Sequence, residues 1–455
     1  MEHTARDTAV QALRDREGKT SRYLRYLLVH TKLSPPDRAL ARELAMGEVR
    51  RRGTLDAVIR AYLSQPDKKL PTPIGEILRI ALYQILFLDR VPNHAAVNEA
   101  VEQASRFHHK RQQGFINGLL RAILRDLPDE PTGVRPPASD AVPRDDGTAV
   151  RLGKAAFPDP QSHPAEYVAA AYSLPIALVQ RWRERFGEEK ALAFAQHSIA
   201  RPPLICRVNA SRSSVEAVLG SLVKDHQPSG AHENGLSVMI DPTDSLMSIS
   251  AFREGLIQPQ DPTATAVVAS ARLKPGMRVL DFCAAPGTKT THLAERMENQ
   301  GEIVAVDVNE EKTQRIETNC QRLGIDIVTT CTVENLGRLD LRSFDLVLVD
   351  VPCSNTGVLA RRPEARWRFD EESLSQLIRD QFSLATAAGQ YVAPGGQLLY
   401  STCSIEPEEC QQMAEKIAGR LEHLKLASQT LTPPDGATDP TRWHDGGFLA
   451  IFESV

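Results

Sequence analysis

Two cysteines stand where a thiol can do chemistry. Asp350-Val351-Pro352-Cys353-Ser354 and Ser401-Thr402-Cys403-Ser404 each close an apolar run of strand length, so both thiols are expected at the carboxyl edge of a sheet. A thiolate there is a strong nucleophile, and Asp350 adds an acid to the same edge. A third stretch runs Val279-Leu280-Asp281-Phe282-Cys283-Ala284-Ala285-Pro286-Gly287-Thr288-Lys289-Thr290-Thr291. It reads as a buried strand, a tight loop of small residues and a helix start, the arrangement by which open α/β sheets offer backbone N–H groups to a ligand. One glycine is too few for G-x-G-x-x-G, and no G-x-x-x-x-G-K-[ST] occurs, so dinucleotide and P-loop readings are both disfavoured. A cofactor without a pyrophosphate fits better. Asp307 ends the next apolar run, 26 positions after Asp281, where an acid can accept hydrogen bonds from two ribose hydroxyls.

Such residues need a sheet to hold them. Strands are expected at 278–281, 302–307, 325–331, 345–350, 396–402 and 448–453, with Asn309 capping a helix that stops at Gly324 and a long helix over 370–392. Strands alternating with helices predict a doubly wound, Rossmann-like α/β domain over 263–455. Residues 165–262 read as a small α+β module, with an amphipathic helix around Trp182, which suits a core, and a strand over 204–209. Residues 128–164 carry eight prolines and read as a flexible linker. Residues 1–127 show helical spacing throughout, as in Ile77-Leu78-x-x-Ala81-Leu82-x-x-Ile85-Leu86, and predict an all-α domain.

At 455 residues and 42% hydrophobic the chain is long enough for two or three cored domains. Its net charge of −4 hides an asymmetry: residues 1–127 hold 22 Lys+Arg against 14 Asp+Glu, a balance of +8 that leaves −12 for the rest. Arg50-Arg51-Arg52 and His108-His109-Lys110-Arg111 are suited to phosphates, although basic groups at helix ends also complement helix dipoles. Adjacent helical histidines do not share a face, and the seven cysteines show no zinc spacing, so reduced thiols and no metal are expected. No apolar stretch reaches membrane-span length, and the first residues lack a signal-peptide pattern; no membrane association and a cytoplasmic location are expected.

The motifs resemble a known family. Asp281-x-Cys283-Ala284-Ala285-Pro286-Gly287-x-Lys289-Thr290 is similar to the S-adenosylmethionine loop of RNA cytosine-5 methyltransferases, which usually carry a second glycine where this chain has Thr288. A β-branched residue is unfavourable there if the backbone needs a positive φ. Val91-Pro92-Asn93-His94-Ala95-Ala96-Val97-Asn98-Glu99-Ala100-Val101 and Phe115-Ile116-Asn117-Gly118-Leu119-Leu120-Arg121 resemble the helical domain of the antitermination factor NusB, which also begins one group of bacterial ribosomal RNA methyltransferases. Arg201-Pro202-Pro203 with Arg207-Val208-Asn209, and Gly357-Val358-Leu359-x-Arg361-Arg362-Pro363-x-x-x-Trp367, resemble further parts of that group. The long linker is a departure from it.

The resemblance implies a NusB-like RNA-binding domain, a small RNA-binding module and a class I methyltransferase domain. It implies that Cys283, Ala284, Ala285, Pro286, Gly287, Thr288 and Lys289, with Asp307, Asp350 and Glu334, hold S-adenosylmethionine. Glu334 stands near where the family has an acid after its third strand. Cytosine C5 is a weak nucleophile, so these enzymes first add a thiolate at C6 and later remove the C5 proton. The resemblance makes Cys403 the nucleophile, Cys353 the residue that helps release product, and Asp350 the group that hydrogen-bonds the pyrimidine or supports its protonation. Arg201, Arg207, Arg361 and Arg362 are expected to contact RNA. The implied substrate is small-subunit ribosomal RNA, at a site like cytosine 967, acted on by a monomer. A transfer RNA methyltransferase and a non-catalytic RNA-binding factor are the alternatives.

Overall fold

The computed structural model describes residues 4–14, 20–128, 136–241 and 246–455, which fall into two compact units. The first comprises residues up to Arg201 together with Leu359–Phe369. It contains α1 (Ala5–Leu13), α2 (Thr20–His30), α3 (Pro35–Tyr62), α4 (Ile74–Phe87), α5 (Asn93–Arg106) and α6 (Gln113–Asp126), then strands β1 (Ala141–Pro143) and β2 (Ala149–Arg151), then α7 (Pro164–Ala171), α8 (Ile176–Phe186) and α9 (Glu188–Ile199). The apolar face read from α4 is its core: Ile77, Leu78, Ala81 and Leu82 are at most 1% exposed.

Much of the proline-rich stretch is folded. Residues 129–135 lie outside the described residues, but β1 and β2 pair as an antiparallel hairpin, and Ala141, Val142, Leu152 and Phe157 are buried. Arg51 seals the hairpin against α3, donating from Nη1 to the Pro143 carbonyl at 2.8 Å. Few but well-placed apolar residues suffice, because the neighbouring helices supply the rest of the core. The same unit takes up α7 to α9, which sequence alone assigns to the small module: Ser173 Oγ accepts from Gly53 N at 2.8 Å and Thr54 Oγ1 donates to the Ala171 carbonyl at 2.9 Å. Trp182 is 1% exposed and meets Phe194 edge-on, a core residue as its spacing predicts.

The second unit comprises Pro202–Val358 and Asp370–Val455. It opens with β3 (Leu204–Val208), α10 (Val215–Lys224), β4 (Ser229–Ala231), β5 (Ser237–Ile240), α11 (Ser250–Arg253) and β6 (Ile257–Pro259), whose strands form one sheet in the order β4-β5-β3-β6. After α12 (Pro262–Ala269) come β7 (Arg278–Phe282), α13 (Thr288–Arg296), β8 (Glu302–Asp307), α14 (Glu310–Leu323), β9 (Val328–Thr332), β10 (Phe344–Asp350), α15 (Glu371–Gly389), β11 (Val392–Thr402), α16 (Gln411–Arg420), β12 (Leu424–Thr432) and β13 (Gly447–Ser454). They build a seven-stranded sheet in the order β12-β13-β11-β10-β7-β8-β9, parallel from β11 to β9 and closed by two antiparallel strands.

Residues of α15 and α16 pack on one face of this sheet and residues of α12 and α13 on the other. Both faces are therefore covered, which is why β7, β8 and β10 read as near-continuous apolar runs. The chain progresses outward from β7 through β8 to β9 and then returns to β10 on the other side of β7. That reversal opens a crevice at the carboxyl ends of β7 and β10. Among the described residues no helix is long and apolar enough to cross a membrane.

Candidate active site

The loop after β7 is fixed by the strand beside it. Ala284 N donates to the Val306 carbonyl at 3.0 Å and Ala285 N to Asp307 Oδ2 at 2.9 Å. The left-handed backbone falls on Cys283 (φ 65°) and Gly287 (φ 92°), while Thr288 is the first residue of α13. The β-branched residue expected to strain the loop thus occupies an ordinary helical position. Gly287 cannot be exchanged so easily, because a Cβ there would lie 3.0 Å from Ile316 Cγ2. α13 begins directly at this loop, with its free N–H groups and positive dipole end.

Three acids surround the loop. Asp281 is 1% exposed and accepts from Thr290 Oγ1 at 2.6 Å, while its Oδ1 has no protein partner. Burial, with help from Asp350 and Asp307, pushes its carboxyl up to about 7 against the opposing Thr290 bond. Asp307 is 3% exposed and takes Val308 N at 2.7 Å and Lys312 Nζ at 2.9 Å. Asp350 divides its oxygens between Lys289 Nζ at 2.5 Å and Ser401 Oγ at 2.7 Å. Burial alone would pull the Lys289 ammonium down, but Asp350, then Cys403 and Asp281, hold it above its ordinary value.

The register of β10 against β11 places Asp350 opposite Ser401. Cys353 and Cys403 follow that level by three and two residues, so their loops leave adjacent strands together, and the two Sγ atoms lie 3.0 Å apart. Both are reduced thiols. Cys403 Sγ also donates to Asn355 Oδ1 at 3.3 Å, and Gly357 N donates to the Cys403 carbonyl at 3.0 Å. Burial, then Asp307 and Asp350, pushes the Cys283 thiol up to about 12, which favours its protonated form near neutrality. A cavity of about 80 Å³ is bounded by Lys289, Asp350, Ser401, Cys403, Asp445 and Phe448 among others.

The other expected site residues fall elsewhere. Glu334 is exposed, on the 3-10 turn after β9. Arg207 is 1% exposed, ion-paired with Glu295 and bonded to Gln260 Oε1 at 2.6 Å, so it is a buried structural residue and not an RNA contact. Its position inside β3, facing α13, explains this. Arg201 is partly exposed but engaged by Glu43 at 2.9 Å. Arg361 is half-buried and Arg362 exposed, both in the segment that belongs to the first unit. In that segment Arg366 is fully buried and donates to the carbonyls of Ser198 at 2.7 Å, Arg50 at 3.0 Å and Ser173 at 3.1 Å. Sequence reading passes over Arg366, Asn355 and Glu409; only the six-residue interval from Cys403 to Glu409 in a run of acids hints at the last.

An orphaned buried carboxylate oxygen beside a loop of small residues and a helix N-terminus fits a ligand with an amino group and a second, negatively charged end. Comparison with known proteins agrees. The family 16S rRNA methyltransferase RsmB/F matches residues 269–442, and the NusB family matches residues 3–125. Ribosomal RNA small subunit methyltransferase B of Pseudomonas syringae pv. tomato is 31% identical over 412 residues, covering 89% of this chain and 84% of that one. The crystal structure of PH0851 superposes with a TM-score of 0.74 at 23% identity, covering 99% of this chain and 98% of the other. NSun6 from Pyrococcus horikoshii with SFG superposes with a TM-score of 0.52 at 21% identity, covering 62% and 98%. The chain belongs to the S-adenosylmethionine-dependent 16S rRNA methyltransferase RsmB/F family.

Proposed function

We propose that this protein forms 5-methylcytosine in 16S ribosomal RNA, at a cytosine corresponding to position 967, through a covalent bond between Cys403 and C6 of the base. The observation that carries the reading is the pair of reduced thiols 3.0 Å apart at the carboxyl ends of β10 and β11, beside the switch point, with Cys403 on the same small cavity as the Lys289–Asp350 pair.

Residues of the 283–289 loop with Asp281 and Asp307 would hold the cofactor, and Glu334 is a further candidate on its ribose side. Bound S-adenosylmethionine supplies an electrophilic methyl group on a sulfonium. The rest is work for the chain's own residues. The Lys289 ammonium, which Cys403 helps to keep charged, favours the Cys403 thiolate. The thiolate adds to C6 while Asp350 hydrogen-bonds the pyrimidine, and the electron pair that arrives at C5 makes that carbon nucleophilic. Once C5 carries its new substituent, Cys353 assists removal of the C5 proton. The electrons of that C–H bond re-form the C5–C6 double bond and expel Cys403. A base must leave its stack for this, since C6 is covered on both faces in a helix. Arg361 and Arg362 are proposed phosphate contacts that hold the strand.

The test is to incubate purified protein and tritiated S-adenosylmethionine with small-subunit ribosomal RNA and, separately, with transfer RNA, and to map the labelled cytosines. Label confined to ribosomal RNA, lost in C403A, supports the reading. Label only in transfer RNA, or full turnover by C403A, overturns it.

A further inference from the structure

We propose that Glu409 is the positioning residue that sets the distance between Cys353 and Cys403. The inference rests on the reading above, in which both thiols act on one base, and deepens it.

Glu409 is fully buried, and its carboxylate touches the residue that follows each cysteine. Oε1 accepts from Ser354 N at 2.8 Å and from Gln381 Nε2 at 2.8 Å. Oε2 accepts from the hydroxyls of Ser354 and Ser404, which are themselves 3.1 Å apart. Gln381 also donates to the carbonyl of Pro352, on the other side of Cys353, at 2.9 Å. Tyr400 Oη anchors the backbone of Glu409 at 2.8 Å. The carboxylate of Glu409 therefore ties both cysteine loops to α15, and its backbone carbonyl ties them to β11.

The site demands an acceptor on both oxygens. Four donors converge on it, and a carboxylate accepts from all of them, whereas an amide accepts on one side only, so the two serine hydroxyls would have to turn and accept from its N–H groups, giving up the bonds by which they hold Oε2. In a buried pocket each hydroxyl proton left without that acceptor costs the desolvation of the group. The loops would then move apart to reach other partners. Two loops that differ by a small shift no longer present two thiols to the same base, and misplacement of reacting groups on the order of 1 Å lowers rates by about 10²-fold.

The test reads geometry without turnover. Phenylarsine oxide bridges two thiols only when they lie side by side, and mass mapping identifies the pair. The intact protein should bridge Cys353 to Cys403, with C353A and C403A as blanks, and E409Q should lose the bridge. S354A/S404A, which removes both hydroxyls and leaves the carboxylate, should lose most of it, and adding E409Q should cause little further loss because the groups act as one unit. In methyl transfer, E409Q should lower kcat at least about tenfold while KM for S-adenosylmethionine stays within about threefold. Bridging and kcat retained in E409Q overturn the proposal. Should E409Q not fold, S354A/S404A decides: bridging retained overturns it, bridging lost supports it. Should the intact protein methylate no ribosomal RNA, the functional reading fails on its own, and the arsenical result still decides whether Glu409 sets the pair.

Discussion

Lys289 Nζ meets Asp350 Oδ2 at 2.5 Å, joining the first residues of α13 to the end of β10 across the switch point of the sheet. The ammonium is nearly buried and the carboxylate about one-third exposed. The pair does two things at once: it closes the crevice and sets a positive charge beside Cys403.

Replacing Lys289 by Met should therefore show two separable effects. Stability should fall by about 1–3 kcal/mol, less than for a wholly buried pair because water still reaches Asp350. Alkylation of Cys403 by iodoacetamide at fixed pH should slow, since its thiolate loses a neighbouring cation. Unchanged alkylation with lowered stability would reduce Lys289 to a structural role.

Asp281 predicts a pH dependence. Its carboxyl is raised from 3.8 to about 7 in the fold, so the unfolded chain releases this proton first. The protonated form's advantage is complete below about pH 4 and is lost as pH rises to 7, at about 1.4 kcal/mol per unit for an isolated group. Asp281→Asn should remove that slope, gaining stability relative to the parent at pH 8 more than at pH 5. If the ionised Oδ1 receives the amino group of the cofactor, affinity for S-adenosylmethionine should rise from pH 6 to pH 8. Calorimetric titration at both values checks this; a flat profile would detach Asp281 from the cofactor.

The fold was largely legible because its central strands obey simple rules. Glu302–Asp307 and the helix from Asn309 to Gly324 were readable to the residue, since an apolar run and explicit caps mark them. β12 escaped because it is an edge strand: only Leu424 of its nine residues is buried, so no apolar pattern announces it. The proline-rich stretch misled because composition reports what a segment can bury alone, and β1 and β2 bury themselves against helices. Cys353 and Cys403 were found through the strands before them. Arg207 and Glu409 were not resolved, because a charged residue that meets its partner 88 or 55 positions away looks like surface.

Gly287 offers a sharp backbone test. Its φ of 92° is unfavourable for an L residue, and an added Cβ would press on Ile316. Gly287→Ala should cost about 1–3 kcal/mol by chemical denaturation and weaken cofactor binding, because relief requires moving the start of α13. Thr288→Gly makes the contrast: at a helical position it should only loosen the helix, by about 0.5–1 kcal/mol at most. A loop in which the threonine change hurts more than the glycine change would contradict the observed geometry.

Arg207 separates an RNA contact from a packing residue. Its guanidinium is buried by the small sheet against α13 and paired with Glu295, whose carboxyl burial raises and Arg207 only partly restores. Removing one partner strands the other charge, so Arg207→Ala should destabilise the protein by roughly 3–5 kcal/mol. The double change Arg207→Met with Glu295→Leu should recover most of that, because no charge is then left alone. Neither change should alter the salt dependence of RNA binding by folded protein, since every phosphate that a variant ceases to neutralise would shallow the slope of log K against log salt by about one. Arg362→Ala, at an exposed position, should shallow it. The same slope measured on both variants thus assigns each arginine: a change with Arg207 and none with Arg362 would reverse the assignment made from burial.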